Sequence, residues 1–358
     1  MERLDGARQS YDWGSTTAIP EMLGLESDGA PWAEAWYGSH PAGPARVTGG
    51  DALSELIDAE PERLLGEDII WRFGRRLPFL LKLIAPERPL SLQVHPSQAQ
   101  AAEGYALEEE AGIALDHPAR NYKDTNHKPE MVLALTRFQA VAGFRAPRRA
   151  VEVLAGLDSV LARRMRRTLR LNPTRYGIRQ VFSDVVSAAT RPSPQEIDAL
   201  VTEIAARFEA GTSPSLRVDS NVVKMADTFP GDPGIAAALL LNPVTLQPGE
   251  ALFVPAGSVH AYISGLGVEV MASSDNVLRA GLSAKHIDEP ILAADAPQPY
   301  LDAFPNVYKE LAATGVRIII GTYFATVAEH LNLLKSLPVH GVHIDCVRAP
   351  EQLAVFAN

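Results

Sequence analysis

Three short stretches carry the residue types that hold metals and move protons. Residues 90–95 alternate strictly, with Leu90, Leu92 and Val94 apolar and Ser91, Gln93 and His95 polar. In a strand, residues two apart share a face, so Gln93 and His95 point the same way with Ser91 beside them. A solvent-facing polar row has the same local pattern; the His95-Pro96 step argues for the mouth of a cavity, because the strand ends at the imidazole. Glu130 stands at the threshold of Met131-Val132-Leu133-Ala134-Leu135, an apolar run expected to be a buried strand. A carboxylate there is costly unless it is paired, with Lys128 or Arg137 as the alternatives, or bound to a metal. In Pro255-Ala256-Gly257-Ser258-Val259-His260-Ala261-Tyr262 a turn leads into a strand whose His260, Tyr262 and Ser264 share a face. Taken alone, His260 reads more simply as a satisfied core histidine. Together, Gln93, His95, Glu130 and His260 offer an amide oxygen, two imidazoles and a carboxylate, a set suited to Zn²⁺ ahead of Fe²⁺ or Mn²⁺. Further on, Glu269 lies inside the apolar Val268-Glu269-Val270-Met271-Ala272, and Arg279 and Lys285 are cations suited to an anionic group. Each of these two cations, read alone, is an ordinary surface charge.

The elements that must position these residues change in texture along the chain. Residues 1–144 hold short apolar stretches broken by Pro and Gly, at 77–84, 90–95 and 131–135, and read as mostly β with a helix near 53–65. From about 147 to 211 apolar residues recur three and four apart, the mark of helices. The last helix of that block has a start signal in Ser193-Pro194 with Glu196 placed to complete a capping box. β texture returns over about 236–282. Strands, then helices, then strands predict a β domain carrying a helical insertion. Arg163, Arg164, Arg166, Arg167 and Arg170 read as a solvated helix face rather than an anion site.

Composition sets outer limits. The 358 residues leave room for two modules, and 33 Lys+Arg against 43 Asp+Glu give a net charge of −10. An acidic chain without long blocks of like charge disfavours nucleic acid as a partner. The longest apolar runs, such as 236–241 and 316–320, fall far short of the roughly 20 residues that span a bilayer, so no membrane partner is expected. Met1-Glu2-Arg3-Leu4-Asp5 begins no basic-then-apolar leader, and the cytoplasm is the expected location. Cys346 is the single cysteine, so a metal must be held by nitrogen and oxygen.

Several separated motifs, in order, resemble the type I mannose-6-phosphate isomerases, zinc enzymes of the cupin superfamily. They are Tyr11-Asp12-Trp13-Gly14-Ser15, Trp32-Ala33-Glu34-Ala35-Trp36 with Gly38-Ser39-His40, residues 90–97, residues 121–135, Ala142-Gly143-Phe144-Arg145, residues 255–262 and residues 274–286. The resemblance covers about residues 1–296. It implies a mainly β fold with an α insertion: a cupin-type jelly-roll barrel or sandwich over 1–145 and 235–296, with a helical insertion over 146–234. It places the ligands of one Zn²⁺ per chain on Gln93, His95, Glu130 and His260. Arg279, Glu269, Lys128 and His127 fall on catalytic positions, and Ser91, Lys82, Tyr262, Asp275 and Lys285 on substrate-binding ones. The implied reaction interconverts mannose 6-phosphate and fructose 6-phosphate by proton transfer through an enediol. Arg279 would support the developing negative charge, Glu269 or one of its rivals His127 and Lys128 would move the proton, and Lys285, Ser91 and Lys82 are the candidates for the phosphate. The implied partner is the sugar phosphate, on a monomer or homodimer.

The C-terminus departs from that pattern. Gly321-Thr322-Tyr323-Phe324, Leu337-Pro338-Val339 and residues 342–352 resemble the N-terminal half of cobalamin-independent methionine synthase. Read physically, 316–320 is a strand, 327–337 a helix and 342–347 a second strand: one β-α-β unit of a (β/α) barrel, too little to close one. Segment 297–358 is therefore expected to replace the second cupin domain usual in the family. Two other readings stay open on the sequence: an Fe²⁺ cupin oxygenase, and an inactive or weakly active sugar-phosphate-binding protein weakened by its replaced C-terminus.

Overall fold

The structure is a computed structural model that describes residues 3–283 together with Ile319–Thr322 and Gly341–Ile344. Its strands, in chain order, are β1 (Leu4–Asp5), β2 (Ala7–Gln9), β3 (Glu34–Tyr37), β4 (Arg46–Val47), β5 (Phe79–Ile84), β6 (Leu92–Val94), β7 (Glu130–Ala134), β8 (Phe138–Phe144), β9 (Leu241–Leu246), β10 (Ala251–Val254), β11 (His260–Ser264), β12 (Gly267–Ala272), β13 (Leu278–Gly281), β14 (Ile319–Thr322) and β15 (Gly341–Ile344). One six-stranded sheet runs β10-β7-β12-β5-β3-β2 and one five-stranded sheet runs β13-β6-β11-β8-β9. Every pairing in the two is antiparallel.

Alternation along the strands sorts side chains into layers. Ile84, Val132 and Ala134 of the six-stranded sheet share a cluster with Phe138, Ala140, Ala142, Val244, Leu246 and Tyr262 of the five-stranded one, so the two inner faces pack on each other there. The opposite face of the five-stranded sheet contributes Leu92, Val141, Ala261, Ile263 and Ala280 to a larger cluster with the helices of residues 147–238. On the outer side of the six-stranded sheet, Ala35, Leu83 and Ala85 meet Ile19 of helix Ala18–Leu23. Each sheet thus has both faces covered, which explains continuous apolar stretches such as residues 131–135.

The helices follow local signals. Ser193 accepts from the Glu196 N–H and the Glu196 carboxylate accepts from the Ser193 N–H, closing the expected capping box on helix Pro194–Glu209. Three expectations need correction. The single helix near 53–65 is two, Leu53–Ala59 and Pro61–Leu65, followed by Glu67–Phe73, because Pro61 starts a new helix and Glu60 before it is held out of helical geometry. The helical region extends beyond 211 through Leu216–Thr228 and Gly234–Ala238; the run Ala236-Ala237-Ala238 that reads as β by apolarity follows alanine's helical preference instead. The strand expected over 90–95 spans only Leu92–Val94. In the arginine-rich helix Val160–Leu171, Arg163, Arg164, Arg167 and Arg170 are exposed, while Arg166 donates to the Leu154 and Leu157 carbonyls.

In the C-terminal segment β14 and β15 pair in parallel, with Ile319 opposite Gly341 and Thr322 opposite Ile344. A parallel pair requires a crossover connection. The helix expected over 327–337, and Lys285 and Cys346, lie outside the described residues.

Candidate functional site

The inner face of the six-stranded sheet is apolar at one end and charged at the other. Along it, Trp36 of β3 lies opposite Lys82 of β5, and Lys82 lies opposite Glu269 of β12. Residues directly opposite share a face, so the three form one row. The Lys82 Nζ is 3.4 Å from Glu269 Oε2 and 3.6 Å from Glu34 Oε1, and 5.2 Å from the centroid of the Trp36 ring. The Trp36 indole N–H donates to Glu34 Oε2 at 2.6 Å. One strand further, Glu130 opens β7 opposite Met271. Glu34, Lys82, Lys128, Glu130 and Glu269 are all buried.

Glu130 draws in the facing sheet. Its Oε1 lies 3.1 Å from His95 Nε2 and 3.5 Å from Lys128 Nζ, and its Oε2 lies 3.2 Å from His260 Nε2. One ligand atom from each of His95, Glu130 and His260 falls within 4.8 Å of the others. The chain orients both imidazoles from behind. The Nδ1 of His95 donates to the Asn276 carbonyl at 3.0 Å, and that of His260 to the Ser258 carbonyl at 3.1 Å. A carbonyl only accepts, so each Nδ1 carries a proton and each ring turns its Nε2 inward toward Glu130. Gln93 of β6 lies opposite His260 on one side and Arg279 on the other, and its amide NH₂ donates to the Ser91 hydroxyl at 3.2 Å.

These residues fit a zinc ion. His95 Nε2 is fully buried and, despite its closeness to Glu130, makes no aligned hydrogen bond. Two imidazoles, a carboxylate and an amide oxygen are the nitrogen and oxygen donors that Zn²⁺ takes, and the carbonyls behind the rings are the partners that metal-bound histidines use.

Electrostatics divides the acids into two roles. Burial opposes charge on Glu130, but the neighbouring His95 and Lys128 and the hydrogen bond from His260 outweigh it and hold its carboxyl well below the usual range. For Glu269, burial together with the Glu130 charge outweighs Lys82 and pushes the carboxyl up to about 7. Burial tends to lower the Lys82 ammonium, yet Glu34, Glu269 and Glu130 together raise it above its ordinary value. Burial, offset in part by Glu130, brings His95 down to about 4. Burial beside Glu269 raises the Tyr262 hydroxyl, whose oxygen has no aligned hydrogen bond.

A stability signature follows for the metal-free protein. Between pH 6.5 and 4.5 the unfolded chain takes up a proton at His95 that the native site refuses until about 4, which costs stability as pH falls. Over the same window native Glu269 takes up a proton that the unfolded chain refuses until about 4.5, which adds stability. The two act in opposite directions, and half-buried His127, its pKa lowered by burial, adds to the loss on the His95 side. Glu269→Gln removes the stabilising half, so the Tm of the metal-free variant is expected to fall more steeply than the parent's as pH drops across that window. A variant profile no steeper than the parent's would refute this.

The remaining expected residues spread around this centre. Arg279 is half-buried on β13, and burial lowers its pKa; His127 is half-buried in the loop before β7, its N–H donating to Gln98 Oε1 at 3.3 Å. Asp275 is exposed, and His40 Nε2 lies 3.2 Å from both of its carboxylate oxygens; that hydrogen bond, working against burial, lowers its pKa. Lys285 lies outside the described residues. Four residues not expected in the site adjoin it: Glu34, Trp36, His40 and Asn276. Glu34 carried the signal that exposed Glu269, an acid inside an apolar alternation; the others act through contacts distant in sequence.

Comparison with known proteins agrees with this geometry. The type I phosphomannose isomerase catalytic domain matches residues 1–147, and the cobalamin-independent synthase N-terminal domain matches residues 271–358. The chain is 38% identical over 303 residues to the mannose-6-phosphate isomerase of Escherichia coli K12, covering 82% of this chain and 74% of that one. It is 33% identical over 311 residues to the human mannose-6-phosphate isomerase, covering 81% and 71%. Among solved structures, a zinc-bound mannose 6-phosphate isomerase superposes with a TM-score of 0.72 at 37% identity, and the apo enzyme of Salmonella typhimurium with 0.73 at 37%, each covering 83% of this chain and 74% of the other.

Proposed function

Because the chain belongs to the type I phosphomannose isomerases, we propose that it interconverts mannose 6-phosphate and fructose 6-phosphate with one Zn²⁺ held by Gln93, His95, Glu130 and His260. The observation that carries this reading is the meeting of His95 and His260, from one sheet, on the Glu130 carboxylate of the other. We read the two packed sheets as the cupin-type jelly roll, with residues 1–145 and 235–296 as the catalytic unit, 146–234 as its insertion and 297–358 as a separate segment. The working state is a monomer or homodimer in the cytoplasm; no described helix is long and apolar enough to cross a membrane.

Zn²⁺, when bound, polarises sugar oxygens as a Lewis acid. The protein does the rest. Isomerisation moves a proton between C1 and C2, and the base needs a pKa near the working pH; Glu269, pushed up to about 7, meets that need and is the base in this reading, with His127 and Lys128 as its rivals. Lys82 is already shared by Glu34 and Glu269, so its role here is to hold the Glu269 carboxylate, and Ser91 and Lys285 are left for the phosphate. Arg279, in the row with Gln93 and His260, supports the charge that develops on oxygen as the enediol forms. Tyr262 and Asp275 contact the sugar. This division favours turnover over the inactive sugar-phosphate binder.

The test is a coupled assay for fructose 6-phosphate on the full chain. Dialysis against a chelator is expected to abolish turnover and Zn²⁺ to restore it. Turnover unaffected by complete metal removal, or sugar-phosphate binding with no turnover in the zinc-loaded protein, would overturn the reading.

A further inference from the structure

Asn276 is completely buried, and it is tied to both halves of the metal site. Its backbone carbonyl holds the His95 ring. Its side-chain oxygen accepts from the N–H groups of Lys123 and Asp124 at 2.7 and 3.1 Å. Its side-chain NH₂ donates to the carbonyls of Asp124 and Asn126 at 2.8 and 2.9 Å. The Ser274 hydroxyl adds a second tie, accepting from the Asn276 N–H at 3.2 Å and donating to the Asn126 carbonyl at 3.2 Å. The clamped loop runs directly into Lys128 and Glu130. A buried amide is costly unless its donors and acceptor are all engaged, and here they are engaged by one loop.

His95 follows a strand of one sheet and Glu130 opens a strand of the other, with no backbone pairing between them. Asn276 is hydrogen-bonded to the imidazole of the first and to the loop delivering the second. We infer that Asn276 is a positioning residue that sets the spacing between His95 and Glu130, so that the site is already assembled before the metal arrives. The inference rests on the proposed zinc site, and one experiment separates the two.

Zinc affinity is measured on the metal-free full-length protein by competition with a chromophoric zinc chelator, alongside Tm. Asn276→Ala is expected to weaken zinc binding about 10- to 100-fold, the range for groups that orient metal ligands. Asn276→Asp keeps the acceptor for Lys123 and Asp124 but loses both donors, so it is expected to fall between Asn276→Ala and the parent; it also serves if the alanine variant does not fold. The control is Asp219→Asn, which weakens the Arg207–Asp219 ion pair in the helical region and should lower Tm while leaving zinc affinity unchanged. If the Asn276 variants lose Tm but bind zinc within twofold of the parent, Asn276 is merely structural and the inference fails. If the parent itself binds no zinc, the site assignment fails first.

Discussion

A Glu130→Gln protein is expected to lose zinc on dialysis and to turn over mannose 6-phosphate at least ~10³-fold more slowly than the parent. Glu130 is the carboxylate on which both imidazoles converge, and Lys128 also lies within 3.5 Å of it. Glutamine has nearly the same shape, so the loss would reflect charge rather than packing. Without that charge the cation loses its anionic ligand, and the Lys128 ammonium stays buried with no partner on Glu130, adding repulsion to whatever metal remains. Metal content by elemental analysis and turnover with excess Zn²⁺ check the two halves separately. A variant that retains stoichiometric zinc and parental turnover would remove Glu130 from the site.

The second large effect concerns Lys82→Met. Lys82 is flanked by Glu34 and Glu269, with Glu130 one strand further, and removing one partner of a buried ion pair typically costs about 3–5 kcal/mol because the other charge is stranded. The variant is expected to lose stability of that order in urea unfolding. Its turnover should fall about 100-fold as Glu269, without the neighbouring ammonium, becomes harder still to ionise. Adding Glu34→Gln removes one of the stranded charges, so the double variant should regain part of the stability. Turnover should stay low, since nothing replaces the cation beside Glu269. Recovery of both together would mean that Lys82 acts only as a structural counter-ion.

Much of the metal site could be read from the sequence because its chemistry is written in strand periodicity. Gln93, Glu130, His260 and Glu269 each break an apolar alternation or border an apolar run, and a polar group there must be satisfied or functional. Zinc itself follows from two imidazoles and a carboxylate in a chain with one cysteine. Asn276 and His40 escaped that reading because their partners lie 150 or more positions away and only the folded arrangement brings them together. The division of acids likewise depends on neighbours: Glu130 and Glu269 look alike in sequence, and only the balance of two rings and two ammonium groups sends their proton affinities in opposite directions. Helix boundaries failed where one signal masked another, apolarity hiding alanine's helical preference over 236–238 and periodicity hiding the break at Pro61.

Arg279 occupies a position unlike the rest. Its strand, β13, has β6 as its single neighbour among the described residues, whereas β5, β6, β7, β11 and β12 are hydrogen-bonded on both sides. With one ladder, β13 is held instead by the burial of Leu278, Ala280 and Leu282 and by the Asp232 carboxylate, which accepts from the Leu282 N–H at 2.8 Å. Those anchors lie on the neighbours of Arg279, so a change of that side chain alters the charge at the rim of the proposed site while the strand and the histidines and carboxylate behind it keep their places.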